Sequence, residues 1–205
     1  FSTHAVFFDY DKDGDLDTYL LNNSYQAIGS FNKMQNERPK RDSVGGDKLF
    51  RNDNGKFVDV SEEAGIYGSI IGFGLGITIG DVNQDSWPDI FISNDFFEKD
   101  YLYINNQDGT FTESLEKSMR SISAASMGAD IADINGYHYQ YSRNMLHINN
   151  GDGTFSEMGR MANLEATDWS WGALIFDMDN DGKRDLFVAN GMYQDVTELD
   201  YLNFI

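Results

Sequence analysis

The sequence contains no cysteine and only two prolines. The first absence excludes disulfides and thiolate zinc sites, without separating cytosol from exterior. No apolar run approaches the ~18 residues that a spanning helix needs, so no direct membrane span is expected. No secretory leader pattern opens the chain, which starts on Phe1 without a Met. That start reads as an internal piece or a processed product of a longer protein. Positive charge is scarce: 15 Lys and Arg stand against 34 Asp and Glu, a net charge of -19. Such a chain repels phosphate backbones and anionic lipid, so nucleic acid is not an expected partner. The three histidines, His4, His138 and His147, are scattered, and only a coincidence of folding would join them in a zinc site. There is no GxSxG elbow, no phosphate loop and no His–Glu pairing. The expectation is a protein that is not an enzyme.

What is present points to many short strands. Apolar residues make up 40% and aromatics 14%, enough for a real core, and 20 glycines join many Asn and Asp in turn-like clusters. At 205 residues the chain fits one or two domains.

Two short units recur and alternate. The first is an apolar run ending in Asp: AVFFD (5–9), ITIGD (77–81), ADIAD (129–133) and ALIFD (173–177). The second is an apolar triplet, an Asn/Gly turn and a Phe: LFRNDNGKF (49–57), LYINNQDGTF (102–111) and LHINNGDGTF (146–155). Asn-Gly and Asp-Gly supply the positive φ angles of hairpin turns, and the Phe after the turn is expected to pack inward. Two hairpins per repeat predict a four-stranded antiparallel blade, and blades of roughly 40–50 residues around an axis predict an all-β propeller. About four blade cores are visible. The longest step between units, from Asp9 to Asp81, predicts an inserted surface loop at about 22–47, whose Arg38, Lys40 and Arg41 read as a solvated basic cluster. Short helical pieces are expected at 61–64, 112–119 and 197–204, the last with Thr197 as N-cap.

Each first unit runs into an acidic loop. In DYDKDGDLD, Asp9, Asp11 and Asp13 stand at positions 1, 3 and 5, Gly14 at 6 and Asp17 at 9. Alternate side chains of a tight loop can converge on one centre. Position 7, Asp15, would add its backbone carbonyl, and Asp17 could close the shell with two oxygens. That is the oxygen-rich shell of about six to eight ligands that Ca²⁺ takes, whereas Mg²⁺ keeps its waters and transition metals prefer His or Cys. DMDNDGKRD repeats the pattern with Asp177, Asp179, Asp181, Gly182 and Asp185, and Lys183 at position 7. DVNQDSWPD is a degenerate copy: Asp81, Asn83, Asp85 and Asp89, with Trp87 at position 7 and Ser86 in place of the glycine. The expectation is therefore calcium, at two strong sites and one weaker site. EF-hands share the first spacings but need a longer loop, a final Glu and flanking helices, and the flanks here are strand-like. The copy at Asp133 is broken. It is followed by GYHYQYSRN with no third acid, and a strand's worth of sequence is missing. Either the blade is truncated, or a piece was lost at about Asn135–Gly136; the second is favoured, because a closed sheet could hardly lose a strand.

With both units read, the chain resembles the FG-GAP/VCBS repeat family, the calcium-binding blades of integrin α-subunit propellers. The residues carrying the resemblance are DYDKDGDLD, DVNQDSWPD, DMDNDGKRD and the NNxDGTF hairpins, so it covers nearly the whole chain, 1–205. The segment ATDWSWGALIFDMDNDGKRDLFVANG is similar to bacterial surface or secreted proteins of the ASPIC/UnbV-associated type. The resemblance implies about seven blades, calcium in the loops, and recognition rather than catalysis. It implies an extracellular or cell-surface location on the bacterial outer membrane exterior, with protein, glycan or other outer-membrane subunits as partners. A carbohydrate-active or lyase enzyme, with a cleft near His138 and Tyr139, and a purely structural subunit of a surface complex are the alternatives.

The remaining marked residues have plain readings beside their functional ones. Trp169 and Trp171 read as packing between blades, with sugar stacking as the alternative. Gly72, Gly74 and Gly76 lack the order of a dinucleotide fingerprint and read as sites of close strand approach. The run YHYQY (137–141) reads as an alternating strand as readily as a binding surface.

Overall fold

A computed structural model describes residues 1–25, 36–95, 98–119, 122–123, 126–131, 144–165, 167 and 170–191. Two four-stranded antiparallel sheets form the first half. The first contains β1 (Ser2–Phe8), β2 (Asp17–Asn22), β3 (Lys48–Asp53) and β4 (Lys56–Asp59) in sequence order. The second contains β5 (Gly74–Gly80), β6 (Asp89–Asn94), β7 (Tyr101–Asn105) and β8 (Phe111–Glu113), again in order. A single helical turn, α1 (Leu115–Ser118), follows within the segment read as a short connector. Two two-stranded sheets complete the described chain, β9 (His147–Asn149) with β10 (Phe155–Glu157), and β11 (Ser170–Phe176) with β12 (Asp185–Asn190). The fold is all-β, with meander sheets that have the order of propeller blades and, among the described residues, do not close into a ring.

The repeats share one register at their acidic loops. Phe8 faces Asp17, Gly80 faces Asp89 and Phe176 faces Asp185, so each acidic loop joins the same two strand ends. Blade 1 packs its Phe8, Tyr19, Leu21 and Leu49 against Ile77, Ile90, Ile92 and Tyr103 of blade 2. The opposite face of blade 2, with Leu102, Phe91 and Ile104, packs on Val82, Leu115, Ile131 and Phe155. Blade 2 is therefore buried on both faces, which is why its strands read as near-continuous apolar runs rather than alternating ones. The glycines of GFGLG permit this proximity. A Cβ on Gly74 would lie 2.3 Å from Leu21 Cδ1, and one on Gly76 2.9 Å from Gly128 Cα.

Several expectations need correction. The ends of the segment 22–47 are not surface loop: Asn22, Ser24 and Asp47 are buried. Asn22 N donates to Asp47 Oδ1 at 2.9 Å and Asn22 Nδ2 to Gly46 O at 2.8 Å. The matching Asn94 makes the same pair of bonds, to Asp100 Oδ1 and Lys99 O. One clip thus closes a short loop in blade 2 and a long insertion in blade 1. Nor is the basic cluster simply solvated. Arg38 pairs with the buried Glu98 of the blade 2 segment at 2.5 Å, and Arg41 donates to the carbonyls of Ile66 and Tyr67.

The hairpin Phe also splits by repeat. Phe111 is buried and Phe155 packs on Val82, yet Phe57 is exposed. Trp171 is half exposed rather than packed between blades, and its indole lies against Gly191. Only the first of the hairpin turns is a two-residue turn, with Asn54 and Gly55 at φ 54° and 91°. The LYIN hairpin uses Gln107 and Gly109 at φ 65° and 86° in a longer loop, braced by Asp108 Oδ1, which accepts from Thr110 N at 3.0 Å. At 61–64, where a short helical piece was expected, residues 61–65 form a hydrogen-bonded turn instead, with Ala64 N donating to Val60 O at 2.8 Å. The broken copy beyond Asp133, the YHYQY run, His138, Tyr139, Trp169 and the helix expected at 197–204 lie outside the described residues.

Candidate metal centre

The three acidic loops share one backbone path. Position 4 takes positive φ in each, at Lys12 (60°), Gln84 (61°) and Asn180 (60°), and position 6 does so at Gly14 (97°), Ser86 (71°) and Gly182 (84°). The degenerate loop thus keeps the bend with a serine, in a region that L-residues enter only at a cost. In each loop the position-6 N–H turns back to the first carboxylate: Gly14 to Asp9, Ser86 to Asp81 and Gly182 to Asp177, at 3.2, 2.8 and 2.9 Å.

The ninth position has a structural role as well. Asp17 is fully buried, and its Oδ2 accepts from Tyr10 N at 3.0 Å while Oδ1 accepts from Asn52 N at 2.8 Å. Asp89 repeats this with Val82 N and Asn105 N, both at 2.8 Å, and Asp185 accepts from Met178 N at 2.8 Å. The last acid therefore closes its own loop and, in the first two blades, hooks the following hairpin. Each oxygen retains a lone pair, but neither is free of the backbone. Burial raises the carboxyls of Asp17 and Asp89, the latter to about 6, against the opposing pull of these N–H donors.

Convergence differs between the copies. Ligand oxygens of Asp9, Asp11 and Asp17 lie within 4.8 Å of one another, as do those of Asp177, Asp179 and Asp185. The position-5 acids stand outside these clusters and bond within the loop: Asp13 Oδ1 accepts from Asp15 N at 3.0 Å, and Asp181 accepts from both the backbone and the ammonium of Lys183. That ammonium holds Asp181 below the usual carboxylate range. In the degenerate loop, Asp85 Oδ2 accepts from Asn83 Nδ2 and from Gln107 Nε2, each at 2.9 Å. Burial would raise Asp85, but the Trp87 N–H and these two amides bring it below its ordinary value. Amide donors here do part of what a cation would do. Lys12 lies 4.7 Å from the Trp87 ring centroid, so the first two loops sit side by side.

The first loop passes a chemical test for a hard cation. Asp9 Oδ1, Asp11 Oδ1 and Asp15 Oδ1 are buried and have no hydrogen-bond partner. Buried carboxylate oxygens without donors are costly, and burial followed by the nearby Asp13 raises Asp11. A divalent ion held by Asp9, Asp11 and Asp17 would partner the orphaned oxygens of Asp9 and Asp11. Asp15, expected to offer its backbone carbonyl, stands outside that cluster, and its Oδ1 is the third orphaned oxygen of the loop.

Sequence reasoning missed the asparagines of the second unit. Asn105 Nδ2 donates across the blade boundary to Tyr10 O at 2.9 Å, and Asn149 Nδ2 does so to Val82 O at 2.6 Å. Both acceptors are position 2 of the preceding acidic loop. The invariant spacing of Asn in LFRN, LYIN and LHIN was the available signal.

A family model described as FG-GAP-like repeat matches residues 81–136 and 138–188. No curated protein matches the chain. The two repeats together span just over half of the sequence, and the chain belongs to the FG-GAP-like repeat family.

Proposed function

We propose that this member of the FG-GAP-like repeat family is a calcium-stabilised β-propeller module that works outside the cell in recognition or scaffolding, and not in catalysis. The observation that carries the calcium reading is the set of three buried, unpartnered carboxylate oxygens in the first loop. Calcium would join Asp9, Asp11 and Asp17, and likewise Asp177, Asp179 and Asp185, cancelling repulsion and stiffening each strand junction. The loop at Asp81 would bind more weakly, since its amides already serve Asp85.

FG-GAP repeats are typical of extracellular proteins, and among the described residues no helix is long and apolar enough to cross a membrane. Free calcium is millimolar outside cells and scarce in the cytosol, which favours the exterior. Resemblance to the ASPIC/UnbV-associated type favours a bacterial surface and a protein or glycan partner.

Melting curves in chelator, calcium and magnesium test the metal reading. Ligand binding only to the folded state adds about 2.7 kcal/mol at a hundredfold excess over Kd, so calcium should raise the Tm by several degrees and magnesium by less. Equal curves in all three would reject it. A glycan array and a pull-down from surface extract test recognition, and turnover of a polysaccharide substrate would argue instead for the enzyme.

A further inference from the structure

A cleft of about 410 Å³ opens at the boundary between blades 1 and 2, beside the first acidic loop. Blade 1 supplies Tyr10, Asp11, Arg51 and Glu63; blade 2 supplies Trp87 of its acidic loop and the turn 107–110 between β7 and β8. Both walls are four-stranded blades. The volume falls within the range of small-molecule sites, about 300–1,000 Å³.

The repeats separate the residues that packing requires from those it does not. Arg51 occupies the position of Ile104 in LYIN and Ile148 in LHIN. Ile104 packs at the next boundary and Ile148 is buried, so an apolar residue serves the fold there. Trp87 stands at position 7 of its acidic loop, where the other loops hold Asp15 and Lys183. In all three the position-7 N–H donates to the position-5 acid: Asp15 to Asp13, Trp87 to Asp85 and Lys183 to Asp181, at 3.0, 2.8 and 2.8 Å. The loop thus uses the backbone of position 7 and leaves its side chain open to other use. Val60 N bonds Leu49 O, Ser114 N bonds Leu102 O and Met158 N bonds Leu146 O, which sets Glu63 level with Lys117 and Met161. An arginine, a tryptophan and a glutamate that the repeat does not require therefore meet in one cleft.

Bonds within the protein fix these groups in advance. Arg51 Nε donates to Asp53 Oδ1 at 2.8 Å, and its Nη1 lies 3.7 Å from Glu63 Oε1. Asp108 Oδ1 accepts from Thr110 N and Oγ1 at 3.0 and 2.6 Å, and Gln107 Nε2 donates to Asp85 Oδ2 at 2.9 Å. The Lys12 ammonium holds the Trp87 indole from 4.7 Å. The carboxylates of Asp11, Glu63 and Asp108, in a chain of net charge -19, disfavour a phosphate or sulfate ligand. Arg51 in the wall and Lys12 on the ring already stand where a cation would go. A neutral ligand rich in hydroxyls remains. A pyranose ring has an apolar C–H face for an indole and a rim of hydroxyls for planar guanidinium, carboxylate and amide groups. We propose that this cleft binds a neutral saccharide unit, stacked on Trp87 and hydrogen-bonded by Arg51, Glu63 and the turn 107–110. The proposal rests on the recognition reading and names its ligand class and its place.

Titration calorimetry and tryptophan fluorescence in calcium-containing buffer test it. The probes are neutral hexasaccharides of glucose, N-acetylglucosamine and mannose, with heparin and oligolysine as charged controls. The wild type should bind at least one hexasaccharide and neither control. Trp87→Ala and Arg51→Ile should each weaken that binding by about tenfold or more. Trp87→Phe should keep the binding and lose the fluorescence change, which a merely structural tryptophan would not produce. Glu63→Gln, whose side chain is 70% exposed, should also weaken binding and serves if the other variants fail to fold. Wild-type affinity in Trp87→Ala and Glu63→Gln, binding of heparin or oligolysine in preference to the sugars, or binding of no probe would each overturn the proposal. Recognition as such would outlive that result if wild type and Trp87→Ala captured the same proteins from surface extract, and would fall with it if they captured none.

Discussion

Asn105 Nδ2 lies 2.9 Å from Tyr10 O, so a side chain of the second blade completes the acidic loop of the first. The same amide is 3.3 Å from Pro88 O, and Asn105 Oδ1 accepts from Gln107 N at 2.8 Å. One buried asparagine thus fixes its own hairpin, its own acidic loop and the neighbouring blade. Asn105→Ala leaves the Tyr10 carbonyl without this donor and should cost about 2 kcal/mol. Urea denaturation would show it as a lower midpoint. Asn106→Ala, one residue on and exposed, should change the midpoint little.

The acids of one loop divide by role. Asp11 Oδ1 has no donor, whereas both oxygens of Asp17 accept backbone N–H groups. Asp11→Asn should reduce the response to calcium while leaving stability in chelator unchanged or slightly raised, since one repelling charge is lost. Asp17→Ala should destabilise the protein by on the order of 3 kcal/mol with or without calcium, because two buried N–H donors lose their acceptor. Calorimetric titration and melting of both variants would separate the roles. Equal losses in chelator would contradict the division.

The position-6 residues offer a paired test of backbone strain. A Cβ at Gly14 meets nothing within 4 Å, so Gly14→Ala is opposed only by its φ of 97° and should cost about 1–2 kcal/mol. Ser86 already holds φ 71°, so Ser86→Gly should gain about 0.5–1 kcal/mol, the relief being partly offset by the flexibility of unfolded glycine. Opposite shifts in Tm are the expected result.

Asp100 provides a dependence on pH far from the loops. Burial raises its carboxyl to about 7, although Asn94 N and Ser126 Oγ both donate to it at 2.8 Å. The folded pKa lies above the unfolded one, so this group's contribution is complete below about pH 4 and is lost as pH rises through about 7. Asp47, raised to about 6 by burial, acts in the same direction. Asp100→Asn keeps an acceptor for Asn94 and offers Ser126 a donor. The variant should match the wild type at about pH 4 and exceed it at pH 8 by on the order of a few kcal/mol. Denaturation at both values, with calcium saturating, is the measurement.

Much of this architecture was legible in the repeats. The run of apolar residues ending in Asp marked β1, β5 and β11 because a strand needs only its own alternation and a turn to declare itself. Positions 4 and 6 of the acidic loops were likewise readable from local chemistry, and the acids at positions 1, 3 and 9 do converge at Asp9, Asp11 and Asp17. The bonds that the position-5 acids make within their loops were not legible, since the donor is Lys183 in one loop and a backbone N–H in another. The insertion was also visible, but not the clip from Asn22 to Asp47 that closes it.

By itself the sequence determined the strand–loop–strand units, their register and the supply of oxygen ligands, since each depends on residues within a few positions of one another. Tertiary structure decided which equivalent residues are buried. Phe57 and Phe111 follow the same hairpin signal, yet only Phe111 has a neighbouring Tyr10 to cover it. Burial is a property of the surface opposite, and no local pattern encodes that surface.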